Sequence, residues 1–166
     1  MTHAFRSIGL TVTLLTLLGL STAAQAQTPP KDMVLLKMVK ASKKLDAAAS
    51  FTLPMTYPVE YTKLVGTVDG FPLGPATAIG TDRTYVGVDG KELWYEGEGA
   101  WTAANGDAIF VTWVGLVDPA KGGFVITGGK GRFQGATGSG VFTYTVNAAA
   151  TEYETTYEGF ISAPKP

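Results

Sequence analysis

From Ser50 onward the chain alternates apolar and polar residues with a period of two, through repeated turn signals, almost to its end. That period places alternate side chains on opposite faces of extended strands, and it excludes a helical domain over those residues. The strands expected are Ser50–Leu53, Val59–Val68, Ala76–Val88, Glu92–Ala103, Ala108–Val117, Gly123–Thr127, Gly138–Val146 and Glu152–Ile161. Turn chemistry separates several of them at Asp69-Gly70, Asp89-Gly90, Asn105-Gly106 and Asp118-Pro119. Pro72 and Pro75 keep the stretch from Phe71 to Pro75 out of any sheet interior. Eight short antiparallel strands imply an all-β barrel or a sandwich. Eight is also the number that closes a barrel around a side-chain core or one small ligand.

The residues before Ser50 follow other rules. Arg6, the apolar run Ile8 to Leu20 and the small-residue site Ala24-Gln25-Ala26 have the form of a secretory signal. The run is short and broken by Gly9, Thr11, Thr13, Thr16 and Gly19, so no stable membrane insertion is expected. Residues 27–49 form a lead in which Lys31 to Leu45 reads either as a short N-terminal helix or as the start of an edge strand. Val34, Leu35, Met38 and Val39 fall on one side of that helix, and its lysines read as a solvated face. The expected plan is a signal peptide over 1–26, the lead over 27–49 and a barrel domain over 50–166, exported to the periplasm or medium.

Composition removes several classes of chemistry. The one histidine, His3, and Arg6 lie in the signal segment, which leaves 12 basic against 14 acidic residues and a formal charge of −2. Near neutrality gives no electrostatic case for nucleic acid. With no cysteine the exported domain has neither disulfides nor thiol chemistry. Ser-His-Asp hydrolysis is excluded, and the dispersed aspartates do not have the spacing of a calcium loop, so no metal site is expected.

The run Gly128 to Gly140, Gly-Gly-Lys-Gly-Arg-Phe-Gln-Gly-Ala-Thr-Gly-Ser-Gly, suits tight turns and close backbone approach. It is not a phosphate loop: Phe124 stands where a P-loop requires glycine, Gln134 stands where a dinucleotide fingerprint requires it, and a strand follows where both need a helix. Arg132 is expected to pair with an acid such as Asp107 or Asp118 and to tie the loop to the barrel end, while Phe133 caps the core.

The segment Gly128-Gly129-Lys130-Gly131-Arg132-Phe133-Gln134-Gly135-Ala136 resembles the Gly-Gly-Thr-Gly-Arg-Phe-Ala-Gly-Ala segment of the allene oxide cyclase and dirigent-like barrels, with lysine for threonine and glutamine for alanine. Asn105-Gly106-Asp107 before an apolar strand fits the small secreted bacterial members of that superfamily. The resemblance extends over roughly Ala76 to Ile161. It implies an eight-stranded antiparallel barrel with an apolar cavity, often oligomeric, working without an organic cofactor or metal.

Two sets of residues are candidates for chemistry. Glu96 and Glu98 share one side of a strand and are the best acid/base candidates, although Leu93, Tyr95 and Trp101 mark the other side as the apolar one. Tyr95, Trp101, Trp113, Tyr153 and Tyr157 are expected to line an aromatic cavity, with Gly97 and Gly99 leaving room beside them. Ala108 to Val117 is apolar on both faces, which calls for an outer cover from the N-terminal segment or from another subunit of a homo-oligomer. The leading expectation is a module that binds a small hydrophobic molecule. The alternatives are a cofactor-free cyclase or isomerase and a purely structural barrel.

Overall fold

The computed structural model describes residues 30–52, 58–149 and 151–166, so the expected signal peptide lies outside the described residues. Eight strands follow one another: β1 (Met33–Thr52), β2 (Pro58–Phe71), β3 (Ala76–Val86), β4 (Glu92–Ala103), β5 (Ala108–Leu116), β6 (Lys121–Lys130), β7 (Gly138–Val146) and β8 (Glu152–Ser162). Each pairs antiparallel with its sequence neighbours, and β8 returns to β1 through the register Met33↔Ser162 to Lys43↔Glu152. The sheet is a closed up-and-down barrel. Closure leaves no free edge where the first and last strands meet.

Several boundaries differ from the sequence expectation: the strand expected from Ser50 is the end of the longer β1, and β6 runs from Lys121 to Lys130. Lys31 to Leu45 falls in the turn before β1 and in β1 itself, not in a helix. Leu36, Met38, Lys40 and Ser42 are buried while Leu35, Lys37, Val39 and Ala41 are exposed. The period of two is therefore present but hidden, because one lysine faces inward and two large apolar residues face outward. Asp69-Gly70 is not a turn either. β2 runs on to Phe71, and the chain reverses over the following prolines, where Gly74 N–H donates to the Gly70 carbonyl at 2.7 Å.

The interior is filled by pairing rings with glycines. On β4 and β5, Tyr95, Gly97, Gly99 and Trp101 face Gly115, Trp113, Val111 and Ile109 across the ladder. Trp113 lies over Gly80, Gly97 and Gly99, so a methyl group added at Gly80 would sit 2.7 Å from its ring. Gly97 and Gly99 therefore do not leave the open room expected of them. Phe142 covers Gly122 in the same way, and Phe124 covers Gly140. This alternation of large and small residues is how a narrow barrel reaches interior packing density without strain.

One end of the barrel is closed. A single 3-10 turn, Gly131–Phe133, follows β6 and drives Phe133 into the core at 1% exposure. Arg132 Nε donates to Asp107 Oδ2 at 2.6 Å, and its backbone N–H donates to Oδ1 at 3.1 Å. Asn105 Nδ2 donates to the same carboxylate at 3.0 Å and locks the β4–β5 turn to it. Of the two acids offered by the sequence, Asp107 is thus the partner. These charge-assisted bonds hold its carboxyl well below the usual carboxylate range, with the Arg132 side chain contributing most. Gly131 has φ +60°, and any side chain there would collide with the Asp107 carboxylate, so the loop requires glycine at this point.

The ring-on-glycine packing gives a direct test. A methyl at Gly115 would lie 2.5 Å from the Tyr95 ring, with no backbone among its nearest neighbours. Gly115→Ala is expected to destabilise the barrel by about 1–3 kcal/mol, as overpacked cores do. Urea unfolding of Gly115→Ala, Tyr95→Leu and the double variant should show the glycine substitution costing much less once the ring is shortened.

Candidate functional site

Away from the closed end, on the side of the β3–β4, β5–β6 and β7–β8 turns, the described residues line a cavity of about 50 Å³ in the barrel interior. Its walls are aromatic: Tyr95, Trp113, Phe142, Tyr144, Tyr153 and Tyr157. Polar groups from β1, β2, β3 and β8 complete the lining, namely Lys40, Ser42, Thr62, Asp82, Thr84 and Thr155. Leu64, Glu92 and Val117 also contribute. Every one of these residues except Val117, which follows β5, belongs to a strand, so a rigid sheet fixes their positions.

The rings form a column. Tyr157 is 2% exposed, with Trp101, Phe124 and Phe142 packed around it at centroid distances of 4.9, 5.4 and 5.5 Å. Tyr95 meets Tyr144 edge-on at 5.8 Å, and Tyr144 leads on to Tyr153 at 6.2 Å. Tyr144 Oη donates to the Leu116 carbonyl at 3.2 Å, which fixes that ring near the β5–β6 turn. Burial pushes the phenols of Tyr95, Tyr144 and Tyr157 above their ordinary value, so they are neutral hydrogen-bonding groups at physiological pH.

Three charged residues line the cavity, Lys40, Asp82 and Glu92; the sequence reading placed Lys40 on a solvated face, which its burial corrects, and singled out neither acid. Lys40 is 5% exposed, and its ammonium stands 5.1 Å from the Trp113 ring centroid and 5.9 Å from that of Tyr157. Burial lowers its pKa, and the nearby Asp82 carboxylate opposes that shift. Asp82 Oδ1 accepts a hydrogen bond from Trp113 Nε1 at 2.6 Å, so one indole touches both charges, by its face and by its N–H. Ser42 Oγ also lines the cavity, and it is buried with no hydrogen-bond partner among the described residues. Lys40 had a legible signal: it continues the series Leu36, Met38 at a spacing of two.

Four of the five expected aromatic residues, Tyr95, Trp113, Tyr153 and Tyr157, line the cavity. Trp101 does not; it is 1% exposed and fills the core beneath Tyr157. Glu96 and Glu98 lie on the outer face. Glu96 pairs with Arg83 at 3.1 Å and accepts from Tyr85 Oη at 3.1 Å, so its role there is an exposed cross-strand contact. Asn105, Gly106, Asp107, Gly128, Gly129, Gly131, Arg132 and Phe133 belong to the closed end or to β6 running into it. Among the described residues, no group of three or more metal-ligating side chains comes together. On the outside, Val114, Val125 and Val141 are 54%, 52% and 59% exposed, so the doubly apolar β5 does present an apolar outer face.

No family model matches the chain, and no curated protein matches it by sequence. Solved structures do match. The pterocarpan synthase dirigent protein PsPTS1 superposes with a TM-score of 0.60 at 11% identity, covering 82% of this chain and 98% of that one. The pterocarpan synthase dirigent protein GePTS1 gives 0.54 at 14% identity, covering 84% and 90%. At this identity the likeness is one of fold: the chain is a dirigent-like barrel in architecture.

The buried titratable groups predict how stability depends on pH. Unfolded tyrosine titrates near pH 10, and Tyr95 and Tyr157 titrate higher when folded, so their contribution is intact below pH 10 and is lost as pH rises beyond it. Lys40 works the other way. Its folded pKa lies below 10.5, so its burial costs stability at neutral pH, and that cost fades as pH rises toward 10.5. Urea unfolding across pH 7–11 should show stability rising and then falling. Lys40→Met should flatten the rise, and Tyr95→Phe should make the fall shallower, by up to about 1.4 kcal/mol per pH unit for each group.

Proposed function

We propose that the barrel binds one small hydrophobic molecule through its open end, with the apolar body against the tyrosine rings and a polar group directed at Lys40, Asp82 and Ser42. The observation that carries this reading is the presence of charged side chains inside an aromatic cavity that reaches the surface. A buried ammonium costs several kcal/mol of desolvation unless something compensates it, so such groups mark sites more often than they build cores. Convergent polar groups in an apolar pocket on a rigid scaffold are the usual form of a small-molecule site. The cavity of about 50 Å³ takes only a few non-hydrogen atoms, so a larger ligand would enter with one end and project through the mouth. Each Å² of apolar surface removed from water would contribute about 25 cal/mol before association costs.

A second reading is a cofactor-free cyclase or isomerase, and Asp82 and Lys40 favour it because they are ionisable groups facing the void. Confinement would supply most of the acceleration, and these two residues would replace Glu96 and Glu98 as acid and base. Both readings place the protein in the periplasm or medium, delivered by residues 1–26. They are also compatible with a homo-oligomer formed over the apolar outer face of β5 to β7.

The test is native mass spectrometry of the protein purified from its own periplasm or medium. A stoichiometric lipophilic adduct is expected, and Thr84→Phe, which extends a wall of the cavity into the void, should weaken its retention by about tenfold or more. For the second reading, conversion of that adduct should stop in Asp82→Asn and continue unchanged in Glu96→Gln and Glu98→Gln. Bare protein from a purification that retains lipophilic ligands would overturn both readings.

A further inference from the structure

The polar end of the cavity also indicates what kind of group it receives. Among the described residues, Lys40, Asp82 and Glu92 are the charged groups of its lining. A neutral polar group can approach Lys40 without competing for the Asp82 carboxylate near it. Lys40 is held against two ring faces on a strand paired on both sides, at Val68 and Thr155, so its backbone is fixed and its amine has few places to go. Burial, the larger influence on this amine, raises its share of the neutral, nucleophilic form. Ser42 lies two residues further along the same inward face, and its buried hydroxyl lacks a hydrogen-bond acceptor or donor among the described residues. A carbonyl oxygen near Lys40 would give that hydroxyl an acceptor.

We propose that Lys40 condenses covalently with an aldehyde or ketone bound in the cavity, so that the site takes a hydrophobic carbonyl compound and holds it as an imine. This deepens the binding reading and rests on it. The amine nitrogen attacks the carbonyl carbon and forms the C–N bond, and the carbonyl oxygen becomes a hydroxyl. The C–O bond then breaks and water leaves. Starting from the ammonium, two of its three protons depart with the oxygen as water and the third stays on the iminium nitrogen, so no outside acid, base or oxidant is required. Asp82 is placed to relay the protons from nitrogen to oxygen and afterwards to face the iminium as its counter-ion. Thr62, Thr84 and Thr155 offer hydroxyls to the departing water.

The experiment is reductive trapping. The folded protein is mixed at pH 7 with limiting benzaldehyde and cyanoborohydride, digested, and mapped for benzylated lysines. Lys40 should be labelled about tenfold or more faster than the exposed Lys37 and Lys91, since the cavity holds the aldehyde beside it and burial favours its neutral amine. Labelling distributed among lysines by exposure, or absent from Lys40, would overturn the proposal with no variant required. As a second measurement, Lys40→Arg should lose the fast-labelled site while keeping the circular dichroism of the barrel. Benzyl alcohol, which has the ring but no carbonyl, separates the two levels of the argument through tryptophan fluorescence. If it binds saturably and Lys40 is not trapped, the binding reading stands and the imine falls. If neither ligand binds, both fall.

Discussion

Closing eight strands into a ring fixes how much space lies inside, and the other features of the molecule follow from how that space is filled. Large side chains take up most of that space, and several rings are accommodated by lying against glycines of adjoining strands. Trp113 over Gly80, Gly97 and Gly99 is the largest instance. The same indole supplies the N–H that Asp82 accepts and the face over which Lys40 rests. The residue that fills the middle of the barrel is therefore also the one that makes charge tolerable there.

That arrangement divides the interior along its axis. Toward the closed end the filling is apolar, with Leu36, Met38, Ile109, Ile126, Phe133 and Ile161 all buried, and the Arg132–Asp107 contact fastens the 3-10 turn beneath them. Around the cavity, threonines, a serine and tyrosine hydroxyls join the aliphatic Leu64 and Val117. Stability and chemistry are thus assigned to opposite ends of one sheet. The glycine-rich loop serves here as a closure.

The positions of seven strands were legible because the alternation and the turn residues agree over Val59 to Ile161. β1 was obscured by its inversions: Lys40 inside, with Leu35 and Val39 outside, gives a hydrophobic pattern that fits a helix nearly as well as a strand. Asp69-Gly70 misled for a different reason, since a turn dipeptide can also sit within a strand when the prolines that follow make the actual reversal. The aromatic lining was legible as residue type, and four of the five residues expected there do converge. The role of Gly97 and Gly99 was not legible, because whether a glycine leaves space or receives a ring depends on the register of the next strand. The inward direction of Lys40 and Asp82 needed that same non-local information.

The meeting of β1 with β8 has a consequence for how the barrel can be carried. Met33 lies opposite Ser162, and Ala163 and Lys165 donate to the Asp32 and Arg132 carbonyls, so the chain enters and leaves beside the closed end. An attachment made beside Met33 or Ser162 therefore lies at the end of the barrel away from the cavity. The adjacent ends also make the order of strands a matter of where the ring is cut. A short splice between them, with new termini at the Asp89-Gly90 turn, would keep every ladder and every lining residue in place, but would move the points of attachment to the rim of the cavity.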